Sequence, residues 1–205
     1  MQYEQNRLSG MREKRWLRIS AAAGLVGGVL LTLLGIAIHS GLSNAGWVIA
    51  NVLGAVAMPL LAVGLPALYL SERHWFGTPA KIGFGLMAVG WTATAITMVF
   101  FAAGFGLGGL LFLPAWLVAM VGALVFGISM LRSDSLTVPR LGAWLLVVAL
   151  PVGLPLSLAF TWYVLGLVDT PWNGPLVFYA LAWVVFCYSL WTRQTETPVA
   201  EAVPQ

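Results

Sequence analysis

Apolar residues in this chain come in long unbroken runs, not in the period-two or one-sided patterns of soluble strands and helices. The stretch from Gly46 to Leu70, GWVIANVLGAVAMPLLAVGLPALYL, carries no charge and one strongly polar side chain, Asn51. Wound as a helix at 1.5 Å per residue, about 25 residues cross a hydrocarbon core of about 30 Å. Comparable runs occupy residues 19–38, 82–103, 109–131, 141–168 and 175–191. The pattern predicts an all-α fold, a polytopic transmembrane bundle of six helices arranged as three consecutive hairpins within residues 19–192. A basic N-terminal segment, 1–18, precedes it, and a tail, 193–205, without apolar periodicity and with two prolines, is expected to be disordered. The basic-then-apolar start looks like a signal sequence, with a conceivable cleavage site at Ser43-Asn44-Ala45. An apolar run of about 20 residues exceeds the usual 7–15 of a signal, so a retained first span is expected.

The connectors alternate in charge. SERHWFGTPAK and RSDSLTVPR carry Arg73, Lys81, Arg132 and Arg140, whereas HSGLSNA, GFGLGG and VDTPWNG carry no Lys or Arg. All ten basic residues therefore fall on the side of the N-terminus, and the positive-inside rule makes that side, with both termini, the cytoplasmic face of a cell membrane. Trp16, Trp75 and Trp191 lie at inner span ends and Trp47, Trp162 and Trp172 at outer ends, where amphipathic rings prefer the interface; Trp91, Trp116 and Trp183 fall deeper and are expected to pack internally. Basic anchors recur at Arg18, Lys81 and Arg140, a spacing of about 60 residues that any set of hairpins would produce.

Composition agrees: 60% hydrophobic and 8% charged residues with a mean hydropathy of +0.91. The pI near 9.4 reflects sparse anchors at span ends that face lipid headgroups, so nucleic acid is not an expected partner. The bilayer is, and another membrane protein or a second copy is a possible one. The single cysteine, Cys187, excludes an intrachain disulfide and a multi-cysteine metal site. Close helix contact in lipid needs small residues, and Ala115, Ala119, Ala123 and Gly127 form such a ridge, matched more weakly by Ser20, Gly24, Gly28 and Thr32.

Chemistry is sparse. His39 and His74 lie at opposite ends of their spans and cannot share a metal or haem. No Asp, Glu, Lys or Arg interrupts a span, which argues against an ion-coupled pump. No G-x-S-x-G occurs and no span is expected to place a His near a Ser, so no enzyme, cofactor or metal is expected. The loop Glu72-Arg73-His74-Trp75 reads as solvated. Asp169, the one charge expected outside, could form a mouth with His39 or be a plain loop acid beside Pro171; the second is preferred. A deeper layer is formed by Thr32, Pro59, Thr92, Thr94, Pro151 and, slightly farther out, Pro155. Such prolines break the helical ladder at the depth where carriers hold their substrates, or they only kink. Two functions follow: an accessory or interaction subunit of a membrane assembly, or, as the alternative, a carrier or receptor for an uncharged or lipophilic small molecule using a midplane cavity. Candidate contacts for the ligand or partner are Thr32, Asn51, Pro59, Thr92, Thr94, Pro151, Pro155, His39 and Asp169.

Overall fold

A computed structural model describes residues 2–39, 42–165 and 173–195. Among these the chain is all helix, turns and connectors: α1 Gln2–His39, α2 Asn44–Glu72, a single 3-10 turn Arg73–Trp75, α3 Thr78–Ala102, α4 Gly106–Leu131, α5 Arg140–Ala149, α6 Gly153–Phe160 continued by a π turn Thr161–Leu165, and α7 Asn173–Thr195. Five helices are long and apolar enough to cross a membrane, and a sixth crossing is available if the α5–α6 pair, bent by 56°, is one span. Two boundaries differ from expectation. The basic N-terminal segment is not separate from the first span, since α1 runs without a break from Gln2, and α7 extends past the sixth run to Thr195. The rest of the tail, 196–205, lies outside the described residues, as do Asp169 and Trp172.

The fifth run is interrupted where its chemistry demands it. Pro151 has no N–H and cannot continue the ladder, so α5 ends at Ala149 and α6 restarts at Gly153. Pro155 then falls in the first turn of α6, where a missing N–H costs nothing. Bonds from Val152 N to Val148 O and from Leu154 N to Leu150 O carry the chain through the bend.

Glycine determines how closely the helices meet. α3 lies on α4 with backbones nearly touching: an ideal Cβ on Gly90 would stand 2.3 Å from Ala119 N, one on Gly122 2.3 Å from Met87 N and one on Gly83 2.6 Å from Phe126 N. The alanine ridge of the fourth run is a real contact seam, with Ala119 and Ala123 buried. It rotates along its length, because Gly127 meets Ala143 O and Leu146 of α5. On α1 the glycines divide between two partners. Gly27 approaches Leu61 of α2, Gly28 and Gly35 approach Ala180 and Val177 of α7, and Gly24 stands against both Gly64 of α2 and Cys187 of α7. α7 also packs on α5 and α6, and α2 on α3, so the contacts run in a closed ring from α1 through α7 back to α1.

One polar group inside this ring mends a helix. The buried Ser20 Oγ of α1 donates to Val63 O, 2.6 Å, and accepts from Ala67 N, 3.2 Å, the two groups that pair with each other in a regular helix. The insertion sits beside Pro66 of α2, where the ladder is already interrupted. Trp91, Trp116 and Trp183 are buried, as expected, and Tyr179 joins them with its ring 4.6 Å from that of Trp91 and 6.1 Å from that of Trp183.

The basic residues of the connectors mark one end of the ring, called here the basic end; the other is the neutral end. Five aromatic rings close the basic end. Phe76 lies within 4.8–5.8 Å of Trp75, Phe126, Phe84 and Tyr69, joining α2, its 3-10 turn, α3 and α4. Beneath them Glu72 is fully buried, contrary to the expectation of a solvated loop. Its carboxylate accepts from Trp75 Nε1 at 2.6 Å, from Thr137 N at 3.3 Å and from Thr137 Oγ1. The 72–75 turn is thus tied to the 132–139 connector, where His74 Nε2 also meets Ser135 O at 3.1 Å. Arg73 and His74 remain exposed.

Candidate functional site

The neutral end holds a cavity of about 570 Å3. Its wall is built from turns of five helices: Leu34 and Ile38 of α1, Trp47, Ala50, Asn51 and Met58 of α2, Met98 and Phe101 of α3, Gly109 and Phe112 of α4, and Asn173 and Leu176 of α7. Most of these residues stand three, four or seven positions apart on their helix, the spacing that keeps a helix face turned the same way, and Ala50 and Asn51 of α2 are adjacent. α2 begins there because Ser43 caps it, its Oγ accepting from Gly46 N at 3.2 Å. The α3–α4 turn closes through Gly104 at φ +87°, a left-handed conformation that glycine adopts without strain.

Among the described residues the wall is apolar apart from Trp47, Asn51 and Asn173, and no acidic or basic side chain of theirs lines it. Asn51 is half-buried. Asn173 is 3% exposed, and its Nδ2 has no hydrogen-bond partner among the described residues. A smaller hollow of about 250 Å3 at the basic end, between Trp75, Pro79, Ser129 and Arg132, is lined by the start of α3, the end of α4 and the adjoining connectors.

Beside the cavity stands a histidine–serine pair that the sequence gave no reason to expect. His39 Nδ1 lies 2.6 Å from Gly35 O, and Nε2 lies 2.9 Å from Ser157 Oγ of α6. A carbonyl can only accept, so Nδ1 carries the proton, and in the neutral ring Nε2 accepts from the serine hydroxyl. Phe160 packs on the imidazole at 5.8 Å. The expectation that no histidine stands near a serine is therefore corrected: the residues are 118 apart in sequence, and the bend after α5 brings them together. A serine beside a basic imidazole is the start of a nucleophile arrangement. Here, however, Ser157 is buried against α7, where an ideal Cβ on Gly174 would stand 2.6 Å from Ser157 Cβ, and Oγ is closed to an incoming carbonyl. The pair acts as an interhelical tie.

The proline–threonine layer does not assemble. Thr94 is buried and donates to Gly90 O at 2.7 Å, Thr32 donates to Gly28 O at 2.8 Å, and Thr92 is exposed, so these hydroxyls serve their own helices or face outward. Pro151 and Pro155 are exposed and line neither hollow, and Pro59 is half-buried in α2 outside both linings. α3 packs on α2 and α4 while α5 packs on α4 and α7, so Thr92 and Thr94 are not placed to meet the carbonyls freed by the prolines. The space lies nearer the neutral end than the expected midplane. Of the candidate residues among those described, Asn51 lines it, with His39 close by. Asn173, which the sequence places with His39, Asn51 and Asp169 among the polar residues of the outer ends, is not one of the candidate contacts, nor are Met58 and Met98. Asn173 could have been, as the one carboxamide that opens an apolar run and stands before Gly174-Pro175.

Among the described residues no three His, Cys, Asp or Glu side chains gather in a way that could hold a metal ion. Comparison of the chain with protein-family models, with curated proteins and with solved structures finds no match, and the functional reading rests on the geometry above.

Proposed function

We propose that this chain is a six-span membrane protein, three hairpins with both termini cytoplasmic, that acts as a non-enzymatic carrier or receptor for an uncharged, largely apolar small molecule held at its neutral end. The observation that carries this is the cavity of about 570 Å3 walled by five helices, with two carboxamides and an indole as its only polar side chains among the described residues. That volume lies in the range of about 300–1,000 Å3 typical of small-molecule sites, and mostly apolar walls with a few polar groups are their usual character. A charged ligand would find no counter-charge among the described residues of the wall, and leaving water unpaired costs an ion several kcal/mol. The distribution of Lys and Arg supports the orientation, which puts the cavity in the half of the membrane away from the cytoplasm.

The test compares purified wild type with Ala50→Phe, which places a ring in the cavity from a buried position on α2. An organic extract of the wild type should contain an uncharged species in stoichiometric amount, and the variant should be monodisperse but depleted of it. Identical extracts from both proteins, with a second chain copurifying in fixed ratio, would replace this proposal with the accessory-subunit role.

A further inference from the structure

We infer that the ligand of this cavity presents an uncharged oxygen acceptor, such as a ketone, ester or ether oxygen, to the carboxamide of Asn173, which sets the specificity of the site. This rests on the cavity being a binding site, and it adds the chemical class of the occupant and the residue that reads it.

Three observations converge on Asn173. It is 3% exposed at the first position of α7, its Nδ2 has no partner among the described residues, and it forms part of the cavity wall. A buried donor left unmade is more costly than an ordinary hydrogen bond is favourable, so an occupant that satisfies it is selected over one that does not. The carboxamide turns about a broad terminal torsion, which lets the NH2 group face the cavity. The surroundings favour an acceptor in particular. Asn173 opens α7, and the first-turn amides of a helix form its positive end, which attracts the negative end of a carbonyl dipole. The rest of the wall is apolar, with Met58 and Met98 giving an adaptable surface for a hydrocarbon body. Asn51, half-buried on α2, is the second carboxamide, and Asn173 is the one shut away from competing water.

The probes are 2-hexadecanone and hexadecane, added at equal mole fraction to the full chain in maltoside micelles, with the thermal midpoint as readout. In the wild type the ketone should reach half its maximal stabilisation at a mole fraction about tenfold lower than the hydrocarbon, the ratio expected from one net hydrogen bond. Asn173→Leu should erase that preference, leaving both probes stabilising, and Asn51→Leu should retain it. Equal half-saturation of the two probes in the wild type would overturn the role of Asn173 and leave the apolar cavity standing; this arm decides even if Asn173→Leu cannot be purified. A preference that persists in Asn173→Leu would overturn it as well. Stabilisation by neither probe would remove the binding site itself.

Discussion

Replacing Gly90 by alanine adds one methyl group to the close seam between α3 and α4. The new Cβ would stand 2.3 Å from Ala119 N, 2.7 Å from Ala119 Cα and 2.9 Å from Ala115 O. All three are backbone atoms of α4, so no side-chain rotation relieves the contact. Carbon packs favourably at about 3.5–4.0 Å, and the two helices must therefore part by roughly 1 Å at this level. A gap of that size forfeits a quarter to a half of each neighbouring contact along a seam that also includes Gly83, Met87 and Gly122. Overpacking of this kind costs about 1–3 kcal/mol, against which alanine returns at most about 1 kcal/mol in helix propensity. A net loss of about 2 kcal/mol lowers the thermal midpoint by roughly 4–8 °C in a chain of this size. Gly85 supplies the control on the same helix, because its Cβ would meet nothing within 4 Å, and Gly85→Ala should be neutral or slightly stabilising. Intrinsic tryptophan fluorescence on heating in detergent measures both. Equal midpoints for Gly90→Ala and Gly85→Ala would refute the close approach of α3 and α4.

Ser20→Ala should strand Val63 O and Ala67 N of α2, costing about 1–2 kcal/mol, and an unchanged thermal midpoint would show that α2 closes its own ladder there. Thr137→Ala removes one hydroxyl from the buried Glu72 carboxylate; a loss of about 2 kcal/mol is expected, and thiol labelling at Ser135→Cys should quicken as the connector loosens, whereas an unaltered labelling rate would detach the connector from Glu72. In a Cys187→Ala background, cysteines at the exposed positions Ser43 and Gly106 should react with a membrane-impermeant maleimide added outside cells, and those at Gly77 and Ser135 should not; the reverse pattern would exchange the two sides.

The apolar helices and the small-residue seams were legible because both are properties of a single helix. A helix that crosses lipid must be apolar along its length, and Ala115, Ala119, Ala123 and Gly127 share a face whatever lies opposite. The proline break was legible for the same reason, since Pro151 removes its own N–H. What faces what was not legible. Thr92 and Thr94 sit at one depth but about 200° apart around the axis, so one faces inward when the other faces out. The threonine layer failed on that angle, which depth counting ignores. Glu72 was assigned to solvent because it stands in a charged quartet, yet its burial depends on Thr137, 65 residues on. The His39–Ser157 tie and the cavity wall likewise need the rotation of each helix about its axis and the direction of the α5–α6 bend, which neither composition nor spacing specifies.

The bend also accounts for why Asn173 stands where it does. Because α6 leaves the line of α5 by 56°, Gly153 comes against the start of α7, where an ideal Cβ on it would lie 2.8 Å from Pro175 N and one on Gly174 would lie 2.1 Å from Gly153 O. Neither position tolerates a side chain without moving backbone. Ser157, one turn further along α6, reaches His39 on α1, whose own Gly35 lies against Val177 of α7. The first turn of α7 is thus held by backbone contact with α6 and by Val177 against Gly35 of α1, the two helices being themselves joined by the His39–Ser157 bond, and Asn173 is presented to the cavity from a fixed support. At the basic end the aromatic rings and the Glu72 bonds fasten α2, α3, α4 and the 132–139 connector together. Toward the neutral end, α3 and α4 leave Phe101 and Gly109 exposed beside the opening. The start of α7 is thus a firmly held support for Asn173, and α3 and α4 also meet closely at this level, where an ideal Cβ on Gly108 would stand 2.5 Å from Phe101 N and 2.6 Å from Thr97 O.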